Sequence, residues 1–314
     1  MKNSLSILII LTIIFSSCQK EVNMEIPSQP PRLGIHAIWN KDTVLEVQVS
    51  RSFSIKETPS FDDRTDPPTV LNKRRKYGVV DAIVRVYKNE VLYDELVFDP
   101  QTYTYKTTSG KTATPDASYH ITVSAPGFAD VSAPVTHFPA QVPIKSLTVR
   151  KQVANDGVGG TIDEVTVEFD DPASQKNYYW INIQRNPRNT STHFHYFPVY
   201  VTPVNTDIIV PSGFDITTDI PTIQGDRILL KDDDFNGQTK KVTIRMSSWV
   251  LAQAGTFEQI TLSLNNSSED LFKYIRSRVL DVDNPFSTPV QAYSNMANGL
   301  GIFGLYTGDK RELE

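Results

Sequence analysis

The sequence predicts an all-β protein of two β-sandwich domains, with one C-terminal helix packed on the second. Three observations predict it. Short runs along the chain alternate apolar and polar residues with period two, which buries one face of each run and leaves the other wet. Val, Ile, Thr and Tyr dominate these runs, as half-buried strands favour. Pro, Gly, Asn and Asp punctuate them at short intervals, the spacing of a sandwich.

The first element is a leader. Lys2 is positive, and residues 5–15 form an apolar run rich in Ile and Leu. That run is shorter than the roughly 20 residues of a membrane span and matches the apolar region of a secretory signal. Ser16 and Ser17 then precede Cys18, the one cysteine of the chain. Small residues before a cysteine in this setting resemble a bacterial lipobox. There the signal, residues 1–17, is removed, and the cysteine becomes an N-terminus diacylated on sulfur and acylated on nitrogen. The competing reading is cleavage at Ser16 or Ser17, which leaves an unpaired thiol in a secreted chain. Several acyl chains on Cys18 make a firm anchor, since each buried CH₂ contributes about 0.8 kcal/mol. Gln19, Lys20 and Glu21 follow and resemble the surface-export signal of Bacteroidetes lipoproteins; a plain polar tether is the simpler alternative. Residues 18–32, with Pro27, Pro30 and Pro31, complete the lipidated tether.

The N-terminal sandwich is predicted over residues 33–140. "LEVQVS" (45–50), "AIVRVY" (82–87) and "YHITVS" (119–124) alternate cleanly, and "KNE" (88–90) forms a hairpin tip before "VLYDELVF". Pro126 and Gly127 bend the chain before Val131 resumes a strand. Residues 56–78 interrupt this pattern with three prolines and many charges and read as a long exposed loop. Its basic cluster Lys73-Arg74-Arg75-Lys76 suits an anionic partner or lipid headgroups, or simply solvent, with Asp62, Asp63 and Asp66 nearby.

After the linker "PAQVPI" (139–144), the second domain is predicted over 141–314. Its strands are "SLTVRKQV", "EVTVEF", "YYWINI", "RILL", "KVTIRM" and "QITLSL". A helix follows over 268–281, with Ser267 and Asp270 at capping-box spacing and Leu271, Ile275 and Val279 on one face. The Gly-rich tail, 284–308, reads as a last strand closing the second sandwich or as a partner contact.

Composition bounds the function. The chain has 314 residues, 39% hydrophobic and 21% charged, as in globular proteins. Its formal charge of −5 argues against nucleic acid as a partner. With Cys18 lipidated, no cysteine remains for a disulfide or a thiolate site. On a strand, His193 and His195 would share one face and could ligate a metal, but the spacing offers no third ligand, and the surrounding Phe194, Tyr196 and Phe197 read as packing. Asp232, Asp234 and Asn236, followed by Gly237, match the opening of a calcium loop, yet Thr243 stands where the bidentate Glu belongs. A turn is the plainer reading. Asp163 and Glu164 precede a strand and read as solvated. No nucleophile elbow, P-loop or His-Glu-x-x-His is present. A non-catalytic protein is therefore expected, with no cofactor beyond its covalent lipid.

The tail carries a family resemblance. Asn284-Pro285-Phe286, Tyr293-Ser294-Asn295 and Gly299-Leu300-Gly301-Ile302-Phe303 look like the C-terminal signature of domain-of-unknown-function family 4249, a lipoprotein family of the Bacteroidetes. "DAIVRVYKNE", "ASYHITVSAPGF", "FPAQVPI" and "DDDFNGQ" match its pattern too, so the resemblance spans the mature chain. Met296 departs from it mildly, and the 56–78 loop is longer than the pattern. The resemblance implies immunoglobulin-like sandwiches, a lipid anchor in the outer membrane and, since members are often encoded beside one, a TonB-dependent outer-membrane receptor as partner; Gln19, Lys20 and Glu21 add the expectation that the chain faces the cell exterior. It assigns no catalytic residue. The alternative is a stand-alone adhesin or glycan-binding module, for which Trp39, Trp180 and Trp249 are the candidate contacts, set against a core role for all three.

Overall fold

The computed structural model describes residues 30–53, 70–114, 116–157, 159–187, 197–198, 201–204, 227–252, 254, 258–279 and 292–313. The elements of the first half are β1 (Leu33–Asn40), β2 (Glu46–Arg51), α1 (Val70–Tyr77), β3 (Ile83–Lys88), β4 (Val91–Asp99), β5 (Thr104–Lys106), β6 (Ser118–Ser124), β7 (Val131–Ser132) and β8 (Thr136–His137). Those of the second half are β9 (Ile144–Asn155), β10 (Thr161–Asp170), β11 (Tyr178–Pro187), β12 (Phe197–Pro198), β13 (Thr202–Pro203), β14 (Ile228–Lys231), β15 (Thr239–Ser247), α2 (Ser248–Ala252), β16 (Glu258–Ser267), α3 (Glu269–Val279) and β17 (Leu300–Leu313).

The fold is mostly β, and the period-two runs became its strands. Along β6 every second residue is buried, Tyr119, Ile121 and Val123, and they meet Val84 and Val86 of β3 in one core. The β3–β4 hairpin turns on Asn89 and Glu90, both at positive φ, the backbone that a two-residue turn requires. β4 serves two sheets: residues 91–96 pair with β3, and residues 97–99 pair with β5. The first core thus lies between β1-β2-β5 on one side and β3-β6-β7 on the other.

The second core lies between β11-β16-β17, with β14 and β12 beside β11, and the sheet β13-β15-β10-β9. Val165, Val167 and Phe169 of β10 face Ile181 and Ile183 of β11 and Leu262 and Leu264 of β16 there.

The two sandwiches share a strand. β17 pairs in parallel with β1, from Gly34↔Leu300 to Asn40↔Tyr306. From Tyr306 to Leu313 it pairs antiparallel with β16. A single sheet therefore runs through both units. This corrects the assignment of the tail to the second sandwich alone: Met296, Phe303 and Leu305 belong to the first core, and Leu313 to the second. The reason is that fourteen residues of strand, about 45 Å at roughly 3.3 Å per residue, outrun one sandwich.

One further correction concerns a local element. The end of the 56–78 loop is the helix α1; its last turn closes with Gly78 N–H donating to the Arg74 carbonyl at 2.7 Å. Residues 54–69 lie outside the described part. In α3, Leu271, Phe272 and Ile275 are buried against Tyr178 and Trp180 of β11 and Ile302 of β17, with Ile38 of β1 at the margin. The helix covers the outer face of the shared sheet where the two units meet.

Candidate functional site

The tail motif is a clasp. Asn295 binds the backbone of Phe303 on both sides: its Nδ2 donates to the carbonyl (2.9 Å) and its Oδ1 accepts from the N–H (3.0 Å). The same amide donates to Asp270 Oδ2 at 3.1 Å, and the Tyr293 hydroxyl donates to Asp270 Oδ1 at 2.5 Å. Burial, then the Asp270 hydrogen bond, pushes the Tyr293 hydroxyl pKa up. Asp270 therefore holds the tail rather than closing a capping box. Ser267 donates to the Tyr178 carbonyl, and Ser268 is the residue that precedes the helix, its Oγ accepting from Leu305 N–H.

The glycines of the motif mark close approaches. Gly301 has φ +107°, and a Cβ there would lie 1.8 Å from the Ile35 carbonyl oxygen. A Cβ on Gly304 would lie 2.7 Å from the Cβ of Leu271, so α3 sits directly on the strand backbone. Leu300 is partly exposed, while Ile302 and Phe303 are buried on opposite faces of β17. Ser294 accepts from Met296 N–H at 3.3 Å.

The "DDDFNG" turn plugs the junction end of the second sandwich. Asp232 is buried and its Oδ2 accepts from Asn177 N–H at 2.6 Å, whereas Asp234 and Asn236 are exposed. Phe235 packs on Phe169 and Tyr179. Beside it, Asp171 accepts from Tyr179 Oη (2.5 Å), Asn177 Nδ2 (3.2 Å) and Gly237 N–H (2.9 Å). Desolvation, together with the neighbouring Asp171 charge, raises the Asp232 pKa. Asn266 extends the network to the linker, donating to Asn177 Oδ1 and to the Ala140 carbonyl. These carboxylates are engaged by protein donors and hold a turn, two strands and the linker together. Among the described residues no group of three or more His, Cys, Asp or Glu gathers as a metal site.

The far end of the second sandwich has a different character. Asp163 and Glu164 are buried, against the solvated reading. Glu164 is gripped by Arg150 and, at 3.3 Å, by Arg245, and the Arg150 hydrogen bond leads in holding its pKa low. Asp163 sits opposite a bulge in β9: Ile162 pairs with Ala154 but Glu164 pairs with Arg150. Its Oδ1 accepts from Gln152 N–H (2.7 Å) and from Ser248 Oγ (2.5 Å), and Gln152 is held at φ +55°. A cavity of about 130 Å³ opens here between Lys151, Gln152, Asp163, Ser248, Leu251 and Ala252. On the same one-turn helix Trp249 is 57% exposed, with the Arg185 guanidinium 4.8 Å over its ring. Trp39 and Trp180 are buried. The exposed Trp was nameable from sequence; the cavity was not, because the bulge that opens it depends on register.

Cys18, Gln19, Lys20 and Glu21 lie outside the described residues, as do Asn284, Pro285 and Phe286 and the pair His193 and His195. Among the described residues no helix is long and apolar enough to cross a membrane. A model of the family described as domain of unknown function (DUF4249) matches residues 19–312, so the chain belongs to that family. No curated protein matches the chain.

Proposed function

We propose that this member of the DUF4249 family is a non-catalytic lipoprotein of a Bacteroidetes outer membrane, displayed at the cell surface as an accessory to a TonB-dependent receptor. The observation that carries this reading is Cys18, set directly after an apolar leader and small residues and followed by Gln19-Lys20-Glu21. The fold is compatible with it. The tether enters at β1 beside Ser52, whose Oγ accepts from Arg32 N–H at 2.8 Å. Arg185 and Trp249 lie at the opposite end of β17, since Arg185 pairs with Ile260 and Ile260 with Leu313. A chain anchored at Cys18 would hold that end away from the bilayer. Metabolic labelling with an alkyne fatty acid, followed by protease shaving of intact cells, tests this. The wild type should carry label and be shaved, and Cys18→Ala should carry none and leave the membrane fraction. A labelled Cys18→Ala chain, or a wild type protected in intact cells, would refute the anchor or the outward face respectively.

A second reading, glycan binding by a stand-alone surface module, draws on the exposed Trp249 beside the Asp163 cavity. An aromatic face stacks on sugar C–H groups, and a carboxylate accepts from hydroxyls. With Trp39 and Trp180 buried, acrylamide quenching reports chiefly Trp249. Protection by a neutral disaccharide that disappears in Trp249→Ala would favour this reading, and an unchanged quenching curve across a saccharide panel would dismiss it.

A further inference from the structure

The first sandwich is completed by the far end of the sequence. β1 takes β2 on one side and β17 on the other. Just ahead of β17, Ala297 and Ser132 of β7 exchange both backbone hydrogen bonds (2.8 and 3.4 Å). Residues 297–306 thus bridge the two open edges of the sandwich, β7 and β1. They also bring Phe303 and Leu305, both fully buried, into its core. The slot is shaped for this one segment. A Cβ on Gly299 would meet both Val131 methyls at 2.8 Å, and one on Gly301 would meet the Ile35 carbonyl. The other half of the same strand completes the second sandwich against β16.

We infer that β17 is a folding latch. The N-terminal sandwich closes only when residues 297–306 dock, and the second sandwich is finished by the same strand, so the two units become native together. Pairing elements this distant in sequence comes late, because the loop-closure entropy is spent before the contacts reward it. The leading half of the chain therefore stays open, with β1 unpaired on one side, until the trailing strand is available. For a chain threaded across a membrane from its N-terminus, that order keeps the leading half unfolded in transit. This last consequence rests on the export reading; the latch itself does not.

The test is pulsed hydrogen exchange during refolding of the full chain without its leader. The amides of Ile35, Ala37, Val84 and Ile121 should gain protection in the same kinetic phase as those of Leu262, Phe303 and Leu305. Protection of the first group in an earlier phase would overturn the latch, whatever the outcome of the lipid-labelling experiment. As a second readout, Gly301→Val should open residues 33–139 to limited proteolysis. Resistance equal to the wild type across that stretch would also overturn it.

Discussion

Gly304 lies where α3 crosses β17, and the helix approaches so closely that even a methyl group there meets Leu271. Gly304→Ala should therefore destabilise the protein by about 1–3 kcal/mol through overpacking, read as a lower denaturant midpoint. The tail was legible as Gly-rich, but what its glycines approach was not, because a glycine names no partner. Charge was less legible. Asp163 and Glu164 read as solvated, yet the β10 register turns Glu164 beneath Arg150 and Arg245 and sets Asp163 opposite the β9 bulge. The pKa of Glu164 is lowered in the folded state, so its contribution is present above the unfolded value of about 4.3 and is lost as pH falls through the folded value. With the arginines 67% and 45% exposed, Glu164→Gln should cost about 1 kcal/mol at pH 7. Melting curves from pH 7 downward should show this difference closing in acid; a difference constant with pH would assign the effect to packing alone.

At the scale of elements, the strands and the second-unit helix were readable because local period encodes which face is buried. Leu271 and Ile275 face the cluster between α3 and the shared sheet, as their spacing implies. The helix α1 was hidden by the prolines and charges around it. The parallel partner of β17 was hidden for another reason: alternation assigns a face to a strand but not a neighbour, and neighbours are selected by burial across the whole chain. The clasp shows how this pairing is held. Asn295 supplies the Phe303 backbone with a donor and an acceptor in place of a strand, and Asp270 ties it to α3. Asn295→Ala should cost about 2–3 kcal/mol, since it strands partners that are at least partly buried. Asn295→Asp should do no better, because it loses the Nδ2 donor and faces the Asp270 carboxylate. An Asn295→Asp protein as stable as the wild type would count against the clasp.

At the scale of the molecule, β17 joins the two sandwiches through one continuous sheet. Such a pair should melt in a single transition with matching calorimetric and van't Hoff enthalpies, and two resolved transitions would show that the shared strand does not couple them. The start of β1, where Arg32 meets Ser52, and the Trp249 end then stand at opposite ends of β17. The proposed leader and lipid site at Cys18 rest on the sequence alone, because signal chemistry is local in the chain; the surface that a receptor would touch is not readable that way, because it is assembled from strands far apart in the chain. The most direct measurement of the proposed role is native purification of a C-terminally tagged chain from mildly solubilised, crosslinked outer membranes of the source organism. A TonB-dependent barrel should co-purify in a fixed ratio and be lost with Cys18→Ala. Recovery of the lipidated chain alone, with no barrel in the crosslinked fraction, would contradict the accessory role.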